Sequence, residues 1–207
     1  DEYSPFTLAK AMTSGWMWRI PTQGRWGNGY VFNNNYINAE QAKKECEDFV
    51  SYCNYPPRGQ RSFGPMRAQL VYGSDYYDNA NDQIISLAMI ETKEAVENID
   101  EILSVPNLTG VYIGPGDMSS SYGFKPQFDV KKDPIFSNIK MIAEKAIKKG
   151  KIAGIHNGTT DYAKEMIELG YKFVTVSSDF RSMSTHAQNI VNEMKNNEKG
   201  KLSSSSY

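Results

Sequence analysis

Gly110-Val111-Tyr112-Ile113-Gly114-Pro115-Gly116-Asp117 joins four mostly apolar residues to a Gly-Pro-Gly turn that ends in an acid. A short apolar run closed by turn residues predicts a strand covered by helices on both faces. The same unit recurs outward in both directions. Strands are predicted at 84–90, 110–113, 152–155 and 173–176, and helices at 39–53, 92–104, 134–149, 160–169 and 182–195. In the first helix Ala39, Ala42, Cys46, Phe49, Val50 and Cys53 recur at a 3–4 spacing, and Gly170 supplies a C-terminal stop for the fourth. Strands alternating with helices predict an α/β fold with a parallel sheet. An eight-stranded βα barrel typically takes about 250 residues, so four strands predict either a small open sheet or part of a barrel.

Composition narrows the classes. The 207 residues carry a net charge of −1, without the basic excess of a nucleic-acid binder. No apolar run reaches the length of a membrane span, which excludes a helical membrane protein. Cys46 and Cys53 stand seven residues apart and form no CxxC pair, so a cytoplasmic protein is expected rather than a secreted disulfide scaffold. The first residues are neither a signal peptide nor an initiator Met, which predicts a fragment. Residues 1–37, rich in Trp, Gly, Asn and Tyr, show little periodicity and predict an irregular extension. Residues 38–195 form the βα body, and 196–207 predict a disordered tail.

In parallel α/β proteins functional groups gather at the C-terminal ends of the strands. Reading past each predicted strand gives Glu91, then Gly114-Pro115-Gly116-Asp117, then His156-Asn157-Gly158, then Ser177-Ser178-Asp179. Glu91 and Asp117 lie 26 residues apart, about one βα repeat. Two hard oxygen ligands at neighbouring strand ends suit Mg²⁺ or Mn²⁺. The same acids could instead simply open their helices, where the dipole favours negative charge. The glycines of the turn let N–H groups approach an anion, although an ordinary Pro-Gly turn reads the same way. His156 could reach the same mouth or be structural, and His186 falls in the last helix as a surface or packing residue. Arg58, Arg61 and Arg67 follow Pro56-Pro57. They could bind an anionic substrate or form a solvated loop. Tyr72, Tyr76 and Tyr77 fit a loop or an interface equally well.

Tyr55-Pro56-Pro57-Arg58-Gly59-Gln60-Arg61-Ser62-Phe63-Gly64-Pro65 resembles the YPPxGxRSFGP segment of the HpcH/HpaI aldolases, which act on 4-hydroxy-2-oxoheptanedioate and 2-keto-3-deoxy sugar acids. Ile90-Glu91-Thr92 resembles that family's metal-binding strand end, and Tyr112-Ile113-Gly114-Pro115-Gly116-Asp117-Met118-Ser119 resembles its IGPxDLS segment. The likeness runs on through Phe173-Val174-Thr175-Val176-Ser177-Ser178-Asp179 and spans about residues 45–195. It implies a partial (β/α) TIM-type barrel lacking its N-terminal strands. Glu91 and Asp117 would ligate the metal, and the N–H groups of Gly116 and Asp117 would hold a substrate carboxylate. It implies metal-dependent retro-aldol cleavage of a 4-hydroxy-2-oxo acid to pyruvate and an aldehyde, and a homo-oligomer built on C-terminal helices. Met89 departs from the Gln usual two residues before the metal Glu, and the family's N-terminal His base and Arg have no matched position. Arg61 stands as a candidate substrate contact and His156 as a candidate catalytic residue. A non-catalytic remnant that binds metal or keto acid is the alternative.

Gly15-Trp16-Met17-Trp18-Arg19-Ile20-Pro21 and Gly27-Asn28-Gly29-Tyr30-Val31-Phe32 resemble a stretch of the flavin-dependent tryptophan halogenases, without the flavin-binding glycine motif. A flavoprotein is therefore a remote third reading. Two resemblances in one chain predict a chimera with its junction near 38–45.

Overall fold

The computed structural model describes residues 8–12, 15–22, 25–32 and 39–195. The predicted tail and residues 33–38 lie outside the described residues.

The N-terminal segment departs from its expected irregularity. β1 (Leu8–Met12), β2 (Gly15–Thr22) and β3 (Arg25–Phe32) form an antiparallel sheet in that order. Leu8 pairs with Arg19, Gly15 with Phe32, and Thr22 with Arg25. Trp16, Trp18, Ile20, Trp26, Tyr30 and Val31 favour extended backbone, although the segment shows little apolar-polar alternation.

The second sheet holds β4 (Leu87–Ile90), β5 (Gly110–Ile113), β6 (Ile152–Asn157) and β7 (Phe173–Val176), in the order β4-β5-β6-β7. β6 and β7 run parallel, with Gly154 opposite Phe173 and His156 opposite Thr175. The helices among the described residues are α1 (Ala39–Cys53), α2 (Met66–Tyr72), α3 (Tyr76–Gln83), α4 (Lys93–Glu97), α5 (Ile99–Ile102), α6 (Pro115–Ser121), α7 (Ile135–Lys148), α8 (Thr160–Glu168) and α9 (Asp179–Met194). This is the α/β fold with a parallel sheet that the sequence predicts.

Differences fall where local chemistry overrides periodicity. The helix expected at 92–104 breaks at Asn98, whose backbone (φ −97°, ψ 18°) leaves the helical region and starts α5 afresh. α2, α3 and α6 are too short for a periodic signal. α6 begins with Pro115 as its first helical residue, a position that suits proline. α9 starts three residues earlier than predicted because Ser178 caps it, its hydroxyl accepting from the Arg181 N–H.

The chain divides into two compact units. The first takes residues 1–89, 97–111 and 148–151. Its core packs Val50, Val105 and Leu108 against Cys46, Phe49, Ala88 and Ile102. The Lys151 ammonium donates to the carbonyls of Val105 and Leu108, closing the turn that leads into β5. The second takes residues 90–96, 112–147 and 152–207. Ile113, Met118, Ile135, Ile139, Ile142, Ile155 and Met166 are fully buried there. Two tyrosines pin this core by their hydroxyls, Tyr162 donating to Val130 O at 2.7 Å and Tyr171 to Ile139 O at 2.8 Å.

Successive strand residues face opposite sides of a sheet. Ile113 and Ile155 are buried, whereas Tyr112 and His156 next to them are half-buried. β7 departs from the two-sided burial expected of its apolar sequence: Phe173 stays 38% and Val176 41% exposed.

Candidate functional site

The Gly114 N–H donates to Ile90 O at 3.2 Å. This bond ties the end of β5 to the end of β4, so Glu91 emerges beside the Gly114-Pro115-Gly116-Asp117 turn. Thr92, not Glu91, caps the helix that follows: its hydroxyl accepts from Ala95 N at 3.1 Å. The simple helix-opening role for Glu91 is thereby taken by its neighbour. Gly114 offers α6 no side-chain cap, and the N–H groups of Gly116 and Asp117 lie in the first turn. Gly116 is buried and Asp117 is exposed.

Burial, and then the negative charge of Asp117, push the Glu91 carboxyl up to about 7. Burial is the larger cause, and the nearby Asp117 charge adds to it. Among the described residues no cluster of three or more His, Cys, Asp or Glu side chains is placed to hold a metal. A cation held by this pair takes its other ligands from water and a chelating ligand. Mg²⁺ is commonly bound in that way, through one or two carboxylates. The donor set fits a hard divalent cation, and such a cation would relieve the charge that raises Glu91.

His156 stands near the end of β6 in a three-membered polar chain. Its Nδ1 lies 2.9 Å from the Thr175 hydroxyl and 3.3 Å from the Tyr112 hydroxyl. The two hydroxyls are 2.5 Å apart. Burial lowers the His156 pKa and the Arg181 charge lowers it further, while Asp129 opposes them. The Phe128 ring lies 5.0 Å from the imidazole, with the Arg181 guanidinium 5.4 Å from the Phe128 centroid. Tyr112 and Thr175 stand inside family-like segments, but nothing in the sequence singles out their hydroxyls. Only the registry that sets His156 opposite Thr175 reveals them.

The loop after β6 is clamped by Asp129, which accepts from the Gly158 N–H at 2.8 Å and the Thr159 hydroxyl at 2.7 Å. Ser177 follows β7 with φ at 61° and donates its N–H to Asn157 O at 2.9 Å. Left-handed backbone at a non-glycine strand end is a strained conformation that clusters at functional sites. Asn157 is fully buried and ties β6 to β7 by donating to Thr175 O at 3.1 Å.

The remaining candidates have other partners. Arg61, in the first unit, lies 4.4 Å over the Tyr55 ring and donates to the Tyr76 hydroxyl at 3.1 Å. Arg58 pairs with Asp82. His186 is exposed on α9, the surface rather than the packing position of the two its helix allowed. Tyr72 and Tyr76 stack, and Tyr55, Phe63 and Tyr77 pack ring to ring, so those tyrosines form a cluster in the first unit.

A parallel βα sheet with acids at its strand ends fits a (β/α) TIM-type barrel or an open α/β sheet, and the solved structures it resembles select the barrel class. The chain belongs to the HpcH/HpaI aldolase/citrate lyase family, whose model matches residues 39–186. It is 40% identical over 149 residues to a hydroxypyruvate/pyruvate aldolase of Rhizorhabdus wittichii, covering 72% of this chain and 59% of that one. It is 35% identical over 153 residues to a 4-hydroxy-2-oxo-heptane-1,7-dioate aldolase of Escherichia coli, covering 72% of this chain and 57% of that one. The chain thus spans less than two-thirds of the length of these relatives. The solved HpcH/HpaI aldolase from Desulfitobacterium hafniense superposes with a TM-score of 0.66 at 24% identity, over 80% of this chain and 62% of that one. That likeness establishes the fold. The tryptophan halogenase family model matches residues 1–67, farther than the 1–37 expected and overlapping the aldolase match.

Proposed function

We propose that the chain is a metal-dependent aldolase that cleaves a 4-hydroxy-2-oxo acid to pyruvate and an aldehyde. The observation that supports this reading is the Glu91 carboxyl, half-buried at the end of β4, with Asp117 near enough for its charge to add to the effect of burial. The aldolase relatives agree in reaction type. Glu91 and Asp117 would hold Mg²⁺ or Mn²⁺. When bound, that cation supplies Lewis acidity at the 2-keto oxygen. The N–H groups of Gly116 and Asp117 bind the substrate carboxylate and orient the acid. His156 is the candidate catalytic residue on β6. Arg61, which lies over the Tyr55 ring, is a candidate substrate contact.

Release of pyruvate from a 4-hydroxy-2-oxo acid, dependent on Mg²⁺ or Mn²⁺ and lost in Glu91→Ala, tests the proposal. The partial match to the relatives favours one second reading, a chain that binds metal and keto acid without turnover. Metal-dependent pyruvate binding with no aldehyde formed would select it.

Three accompanying expectations belong to the same reading. The partner is a small 2-oxo acid, not nucleic acid or a membrane, and among the described residues no helix is long and apolar enough to cross a membrane. Cys46 and Cys53 are both free, which suits the reducing cytoplasm. The chain forms a homo-oligomer through α9, where Phe180 and Met183 are each 68% exposed and Met194 is 82% exposed. Residues 1–37, 38–195 and 196–207 remain the proposed division of a chimeric chain.

A further inference from the structure

The Tyr112–Thr175–His156 chain can hold His156 Nδ1 either as an acceptor or as a donor. In the first, Tyr112 donates to Thr175 Oγ1, and Thr175 donates to His156 Nδ1. Every donor then has an acceptor, at 2.5 Å and 2.9 Å. In the second, His156 Nδ1 carries a proton and accepts nothing, so the two hydroxyl oxygens are the only acceptors in the trio. One hydroxyl proton, the phenol's or the threonine's, is then left without an acceptor there, because the hydrogen bonds of Tyr112 go only to Thr175 and His156 among the described residues. A half-buried donor left unpaired is the costlier state. Burial also raises the Tyr112 pKa, so the phenol keeps its proton and must donate it.

We infer that Tyr112 and Thr175 are positioning residues that fix His156 as the neutral Nε2–H tautomer, making it a hydrogen-bond donor to an anionic oxygen of a bound oxo acid rather than a proton acceptor. A base needs a free nitrogen lone pair. Here the Nδ1 lone pair is taken by Thr175, and Nε2 already carries the proton. The surroundings agree: Arg181 lies over the Phe128 ring that packs on His156, and its positive charge reaches the imidazole. The ligand half of this inference rests on the proposed oxo-acid chemistry, whereas the tautomer half stands without it.

Nitrogen-15 NMR of the full chain labelled at histidine tests it. The chain has two histidines, so His186→Gln leaves His156 alone in the spectrum. At neutral pH Nδ1 is expected at the unprotonated position and Nε2 at the protonated one. Thr175→Val is expected to mix the two tautomers, and Thr175→Ser to restore one. A protonated Nδ1, a charged ring, or a Thr175→Val spectrum like the parent's would overturn the tautomer assignment. With Mg²⁺ present, pyruvate is expected to shift the Nε2–H proton downfield. Pyruvate binding that leaves this proton unmoved would overturn the donor role. If pyruvate does not bind at all, the ligand half falls together with the lyase proposal, while the first spectrum still decides the tautomer.

Discussion

Glu91 combines two conflicting demands, a half-buried carboxyl beside a second acid. Burial is the larger cause of its raised pKa and the charge of Asp117 the smaller. In the folded, metal-free chain Glu91 therefore binds its proton up to about pH 7, whereas an unfolded Glu loses it near pH 4.3. The folded state holds more protons than the unfolded state between these values, so its stability falls as pH rises through that window. Thermal melts of metal-free protein are expected to drop from pH 4.5 to 7.5, and Glu91→Gln to flatten that slope. Mg²⁺ is expected to raise the melting temperature at pH 7.5 more than at pH 5, because it competes with the proton for the same oxygens. Pyruvate release is expected to fall by about a hundredfold or more in Glu91→Gln, the loss that follows when several kcal/mol of Lewis-acid stabilisation is removed. A variant that keeps its turnover with unchanged metal dependence would exclude the carboxylate pair as the metal site.

At the scale of elements, caps and stops decide where the βα units begin and end. α8 starts at Thr159, whose hydroxyl accepts from Tyr162 N and donates to Asp129. Thr159→Ala is expected to lower stability by about 1 kcal/mol by loss of the cap, measured by chemical denaturation. It should also loosen the loop after β6, which Asp129 holds. The same helix ends at Gly170, with φ at +95°. A Cβ there would stand 2.4 Å from the Ile147 side chain, in a backbone conformation that L-residues avoid. Gly170→Ala is expected to destabilise the second unit, with a loss above about 1 kcal/mol. The glycine stop was readable from its position after an apolar run. The break at Asn98 was not, because a periodic apolar pattern continues across it. α6 shows only its Gly-Pro-Gly turn in the sequence, because seven residues hold too few apolar positions for a helical period.

At the scale of the whole molecule, exposed apolar surface is the feature that the sequence could not rank. Phe180, Met183 and Met194 fall on a helix whose only buried residue is Asn192. Sedimentation is expected to show the chain as a homo-oligomer, and Phe180→Asp with Met183→Asp to shift it toward monomer. A monomeric parent chain would remove α9 as an association surface. Residues 39–195 made without the N-terminal segment are expected to bind Mg²⁺ as the full chain does, measured by calorimetry. Loss of binding would show that the halogenase-like segment belongs to the folded unit.

The sequence by itself determined the βα order, the strand ends where Glu91, Asp117 and His156 sit, and the family. These depend on local apolar runs and on motifs that keep their residue types and spacing. It also determined that two acids stand one repeat apart, though not that they perturb each other. Only the tertiary structure decided that Thr92 caps α4 in place of Glu91. It alone tied β5 to β4 through Gly114 and turned the N-terminal segment into an antiparallel sheet. It alone brought Tyr112 and Thr175 to His156 from strands 44 and 19 residues away in the chain. The physical reason is that burial and hydrogen-bond partnership depend on which strands lie side by side, and that registry is a property of the folded sheet.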